Sequence, residues 1–170
     1  KNTIFLLISH QPNLLLPTLK SRCQKLSFSN LDQTDLGAVL TAIGCKIEPS
    51  DEVSLSILSK GSAGAACRYI NANCINLYRD ILNLASSLPN LNTNKIFQLS
   101  QNYFAKAKPG EFEIFLEMMQ HFFSRLCKTG VMQKPLLPSV TDNEAKIMKS
   151  LCPNLKSARL WSEAANISLS

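Results

Sequence analysis

The chain has 170 residues, 45% of them hydrophobic and 18% charged, with a formal charge of +6. These proportions exclude a disordered or collagen-like chain, and the length suffices for one domain or two small ones with a real core. No apolar run approaches the roughly 20 residues of a membrane span.

Aromatic residues make up only 7%, and Leu, Ile and Ala carry the apolar load, a mix suited to helices packing on helices. The 18 basic residues are dispersed. They admit a nucleic-acid partner but read first as a solvated surface. Six cysteines (Cys23, Cys45, Cys67, Cys74, Cys127 and Cys152) form no C-x-x-C pair, and His10 and His121 stand at no metal spacing from them. They are expected to be reduced, small core residues of a cytoplasmic protein, with no metal site.

In chain order, residues 4–9 (IFLLIS) form a continuous apolar run, the pattern of a strand buried on both faces. Its sheet partners are expected upstream, outside this sequence. His10-Gln11-Pro12-Asn13 reads as a loop. Pro17 suits the first position of a short helix that ends near Ser21 or Arg22. Residues 25–28 (KLSF) alternate and predict a second short strand.

From Asn30 the pattern turns helical. Asp32 to Thr34 offer N-caps, Leu36, Val39, Leu40 and Ile43 share a face, and Gly44 ends the helix. Glu48-Pro49-Ser50 opens a second helix and Lys60-Gly61 breaks it. Ser62 caps a third, predicted over about 63–84. Residues 86–90 (SSLPN) read as a hinge. A second helical block follows over about 93–105, 109–128, 142–151 and from Pro153 onward, with a two-proline loop at 130–139. Phe112, Phe115, Leu116, Met119, Phe122 and Phe123 form a wide apolar stripe that suits a core and a subunit interface equally. Lys106, Lys108, Lys128 and Lys134 suit a solvated surface better than a DNA contact. Trp161 reads as a core or interface anchor.

Much chemistry is excluded by what the sequence lacks. There is no G-x-x-x-x-G-K-[ST] loop, no G-x-G-x-x-G turn, and no histidine paired with a carboxylate in the pattern of a nucleophilic triad. The chain by itself reads as non-catalytic.

Residues 5–10 (FLLISH) followed by residues 16–23 (LPTLKSRC) resemble the core of clamp-loader subunits in the AAA+ ATPase superfamily. These carry a strand ending in a polar sensor residue, a loop, and a P-[TI]-x-x-S-R-C segment. Residues 61–66 (GSAGAA) resemble the lid segment of bacterial DNA polymerase III delta-prime subunits, and the Leu160-Trp161 neighbourhood resembles part of their C-terminal domain. The resemblance implies a mainly α chain: the end of an α/β AAA+ core with two short strands (1–29), a three-helix lid (30–85), and part of a helical collar, or oligomerisation, domain (86–170). It implies that Arg22, within Ser21-Arg22-Cys23, is an arginine finger acting in trans, with Cys23 facing a core. It puts Ser9 or His10 at a degenerate sensor-1 position. Gly64 falls where ATP-hydrolysing members carry a sensor-2 arginine, and Arg68 lies one helical turn further on.

The implied function is that of a non-hydrolysing subunit in a DNA-directed DNA polymerase holoenzyme, a nucleotidyltransferase. The chain would bind no cofactor, with ATP and Mg²⁺ held by a neighbour. Its partners would be the gamma/tau and delta subunits and, through the assembly, the sliding clamp and primed DNA, with no membrane. Two alternatives stay open: a gamma/tau-like clamp-loader ATPase subunit, and an unrelated helical adaptor.

Overall fold

Asp32 begins the packed part of the chain. Its carboxylate accepts the backbone N–H of Asp35 at 2.8 Å and caps helix α2, Gln33–Ala42, as the sequence predicts. A cap of this kind contributes about 1 kcal/mol. Gly44 ends the helix in a left-handed turn (φ +80°), with its N–H on Thr41 O and the Cys45 N–H on Leu40 O. This is a Schellman closure, which lets Leu40 stay buried while the chain reverses. A short 3₁₀ turn, Pro49–Asp51, leads into α3, Glu52–Ser59. Ser62 then caps α4, Ala63–Asn71, accepting from the Ala65 N–H.

The computed structural model describes residues 3–9, 11–104 and 110–169. Among these the protein is mainly α-helical, as expected. The third predicted helix is two helices. It breaks after Asn71, Asn73 adopts φ +53°, and α5 runs Cys74–Ala85. Asparagine tolerates the left-handed region and favours helix ends, so the Asn71-Ala72-Asn73 run is the signal that periodicity alone passes over. Helix α6 spans Thr93–Phe104, α7 Glu111–Met132, α8 Glu144–Leu151 and α9 Leu155–Leu169. Ala105 and Pro109, the predicted ends of α6 and α7, lie outside the described residues, as do Lys106 and Lys108.

Helix α7 runs through Gly130, which the sequence assigned to a loop. A Cβ on Gly130 would run into Cys152 Sγ and come within 3.0 Å of the Ala158 Cβ. The glycine is therefore a close-packing position, where α7 lies against the start of α9. Its helix penalty of about 1 kcal/mol is offset by that contact.

One cluster of buried side chains runs through the helices. It takes Leu36 and Leu40 from α2, Leu55 and Leu58 from α3, Tyr78 and Leu82 from α5, Met118, Phe122 and Leu126 from α7, and Met148 from α8. Of the predicted apolar stripe of α7, Phe122 and Phe123 are buried, Phe115, Leu116 and Met119 are partly buried, and Phe112 is exposed. Trp161 is half-buried, packs on Phe123, and donates its indole N–H to Leu151 O at 3.0 Å. No described helix is long and apolar enough to cross a membrane.

The two predicted strands are absent among the described residues. Residues 4–9 and 25–28 are irregular and pair with nothing, and Leu6 and Phe28 are 85% and 93% exposed. A buried-strand pattern specifies side chains that suit a sheet; it supplies no partner for the backbone, and none of the described segments offers one.

Candidate functional site

The Ser21-Arg22-Cys23 turn is built from its own short helix. Pro17 opens α1, Pro17–Lys20, at the position where a missing N–H is harmless. The N–H groups of Ser21, Arg22 and Cys23 close the turn on Pro17 O, Leu19 O and Lys20 O at 3.0, 3.1 and 3.4 Å. The Ser21 hydroxyl donates to Thr18 O at 3.2 Å. Lys20 Nζ reaches back to Asn13 O at 3.1 Å and ties the helix to the preceding 3₁₀ turn, Pro12–Leu14. The hydrogen bonds of this segment are thus satisfied locally, and Arg22 takes no part in them through its side chain. It is exposed and makes no ion pair among the described residues. An always-charged planar fork on a short, internally bonded turn is suited to an anionic partner outside the chain.

Cys23, expected to face a core, is exposed. It lines an open, mainly apolar groove of about 490 Å³ with Leu7, Leu15, Leu19, Leu26 and Phe28. The segment has no second layer of described residues to bury it. Ser9, at the expected sensor-1 position, is exposed, and its hydroxyl accepts the Gln11 N–H at 3.2 Å, a local turn contact. His10, the other candidate there, lies outside the described residues.

Gly64 stands exposed in the first turn of α4. A Cβ there would meet nothing within 4 Å, so the position has room for a side chain that the sequence does not supply. Arg68 is already engaged: its guanidinium pairs with Glu117 of α7 at 3.2 Å and lies 5.8 Å from the Tyr69 ring centre. Burial, and then the nearby Glu117 carboxylate, push the Tyr69 hydroxyl well above its ordinary range. Among the described residues no hydrogen bond or ion pair joins Ser21-Arg22-Cys23 to Gly64. The N-terminal segment meets the helices at Leu31, whose N–H donates to Gly61 O at 3.1 Å. Gly61 has φ +74°, and a Cβ there would strike the Leu31 backbone.

A second polar centre escaped the sequence. Glu144, 2% exposed, accepts from Arg125 Nε at 2.7 Å and Nη2 at 2.9 Å, from the Tyr78 hydroxyl at 2.8 Å, and from the Val140 N–H at 2.6 Å. Arg125 also donates to Pro138 O at 3.0 Å. The cluster ties α5, α7 and α8 to the loop that precedes α8. Burial, and then the Glu144 carboxylate, drive the Tyr78 hydroxyl far above its ordinary range. Fully satisfied buried networks of this kind specify a unique packing. The only trace in the sequence is Glu144 in the first turn of α8, an ordinary place for an acidic residue.

The described residues form a helical protein that presents an unpaired arginine on a local turn, and no group of three metal-ligating side chains occurs among them. Residues 1–32 match a family model described as "DNA polymerase III, delta subunit". The match covers the arginine turn and relates that segment to DNA polymerase III clamp-loader subunits. No curated protein and no solved structure matches the chain.

Proposed function

We propose that this chain acts as a delta-prime-like, non-hydrolysing clamp-loader subunit whose Arg22 reaches ATP bound on a neighbouring subunit. The observation that carries this reading is Arg22 itself: exposed, without an ion pair, at the end of a four-residue helix inside the matched segment. Phosphoryl transfer spreads negative charge over the oxygens of the moving group. A guanidinium supplied in trans stabilises that charge, and such fingers are worth roughly 10³–10⁵ in rate. Ser21 holds the turn and leaves the Arg22 side chain to project.

Gly64 supports the non-hydrolysing half of the proposal. With no cation at that place, and with Arg68 paired to Glu117, helix α4 offers no arginine to a γ-phosphate from this chain. In this reading residues 1–29 close an AAA+ core, 30–85 form the lid and 86–170 contribute to a collar. The partners are gamma/tau and delta subunits, the sliding clamp and primed DNA. The ATP and Mg²⁺ belong to the neighbour.

Arg22→Ala in the full-length protein, assembled with its partner subunits, should lower DNA-stimulated ATPase by roughly 10³ at that site while assembly stays intact. Arg22→Lys should recover little, because an ammonium lacks the planar fork. Unchanged turnover in Arg22→Ala would sink the finger assignment.

A further inference from the structure

Cys45 and Cys67 are 22 residues apart in sequence, and their sulfurs are 3.3 Å apart. Each is held by a defined piece of backbone. Cys45 is the residue whose N–H completes the Schellman closure of α2 on Leu40 O. Cys67 sits in the middle of α4, whose cap at Ser62 and neighbours Ala66 and Tyr69 fix its position. Neither cysteine is fully buried. By contrast, Cys74 and Cys152 are buried and Cys23 stands alone on the surface.

We propose that Cys45 and Cys67 are a reversible thiol–disulfide pair that staples the α2–α3 turn to α4 when the protein meets a peroxide. This inference is independent of the clamp-loader reading. The sulfurs must close from 3.3 Å to about 2.05 Å, and the proposed movement is rotation about the two Cα–Cβ bonds. The oxidant is hydrogen peroxide. One sulfur, as thiolate, attacks a peroxide oxygen, the O–O bond breaks, and hydroxide leaves and takes up a proton as the first water. The sulfenic acid so formed is attacked by the second sulfur, also as thiolate. The S–O bond breaks, the S–S bond forms, and a second water leaves. Two thiols lose two electrons and the peroxide gains two. The hydrogen bond with Cys45, and then burial, hold the Cys67 thiol above its ordinary value, which makes the reaction faster in mildly alkaline solution.

The link would close a loop containing all of α3 and the start of α4. Loop closure of this length restricts the unfolded chain and should raise the melting temperature by about 5–10 °C. Trypsin separates the two cysteines cleanly, because it cuts after Lys25, Lys46, Lys60 and Arg68. The full chain, treated with hydrogen peroxide and then digested without reductant, should yield the 26–46 and 61–68 peptides joined and lighter by two hydrogens. Dithiothreitol should separate them and return the melting temperature to its starting value. Cys45→Ser and Cys67→Ser should each lose the joined peptide and the thermal shift. Recovery of the two wild-type peptides unlinked, as reduced or sulfinic species, would overturn the pairing whether or not the variants fold. A joined pair with an unchanged melting temperature would overturn the staple.

Discussion

The segment before Leu31 leaves Phe5, Leu6, Ile8, Leu26 and Phe28 exposed, whereas the helices after it bury Leu36, Leu40, Tyr78, Met118 and Leu126 almost completely. The family match lies on the exposed segment and stops at residue 32, where the packed helices begin. In the proposed reading the two regions differ in how tightly function constrains their residues. A turn that projects one guanidinium needs particular residues at particular spacings, so it remains readable. A helical core needs only apolar residues of about the right volume on the right face, and many sequences meet that requirement. A recognisable sequence and a stable core are therefore separate properties in this chain, and here they occupy different segments.

That contrast can be broken or sharpened by substitution. The largest effect is expected at Glu144. Glu144→Ala would leave Arg125 charged in a mostly buried site and strip the Tyr78 hydroxyl and Val140 N–H of their acceptor. The expected loss is about 3–5 kcal/mol in urea unfolding. A loss below about 1 kcal/mol would mean that the cluster is not a keystone of the helical body. Gly130→Ala comes next. The added methyl group meets Cys152 and Ala158 where α7 lies on α9, and a destabilisation of about 1–3 kcal/mol is expected. A gain in stability, as helix propensity alone would give, would mean that α7 and α9 sit further apart in solution.

The smallest effect belongs to the N-terminal segment. Leu26→Ser should leave the unfolding free energy within about 0.5 kcal/mol, because Leu26 is largely exposed. A destabilisation above about 1 kcal/mol would erase the distinction between the two regions, since it would require Leu26 to be packed in solution.

Local signals carried much of the helical body. The Asp32 and Ser62 caps, the Gly44 stop and the Lys60-Gly61 break all stand where the residue chemistry predicts. Each depends on one side chain meeting a backbone group within a few residues, and such contacts are written in the local sequence. Errors arose where a distant partner decides the outcome. The apolar pattern over residues 4–9 describes a side-chain surface, but a strand also needs a second backbone. Gly130 reads as a helix breaker until α9 lies against it. The break at residues 71–73 is a different case: its signal is local, in Asn71 and Asn73, and the apolar stripe on both sides hides it.

The candidate site divides in the same way. Arg22 and its turn were legible because one short segment holds every hydrogen bond that shapes them. Glu144, Arg125 and Tyr78 were not, because 66 residues separate Tyr78 from Glu144 and each looks ordinary in its own helix. Nor was the approach of Cys45 to Cys67. By itself the sequence determined the helical class, most helix ends and the arginine turn, since these rest on contacts between near neighbours. Only the tertiary structure decided the buried carboxylate centre, the engagement of Arg68 and the approach of two sulfurs. Those outcomes depend on which helix faces meet, and that is a property of the packed chain as a whole.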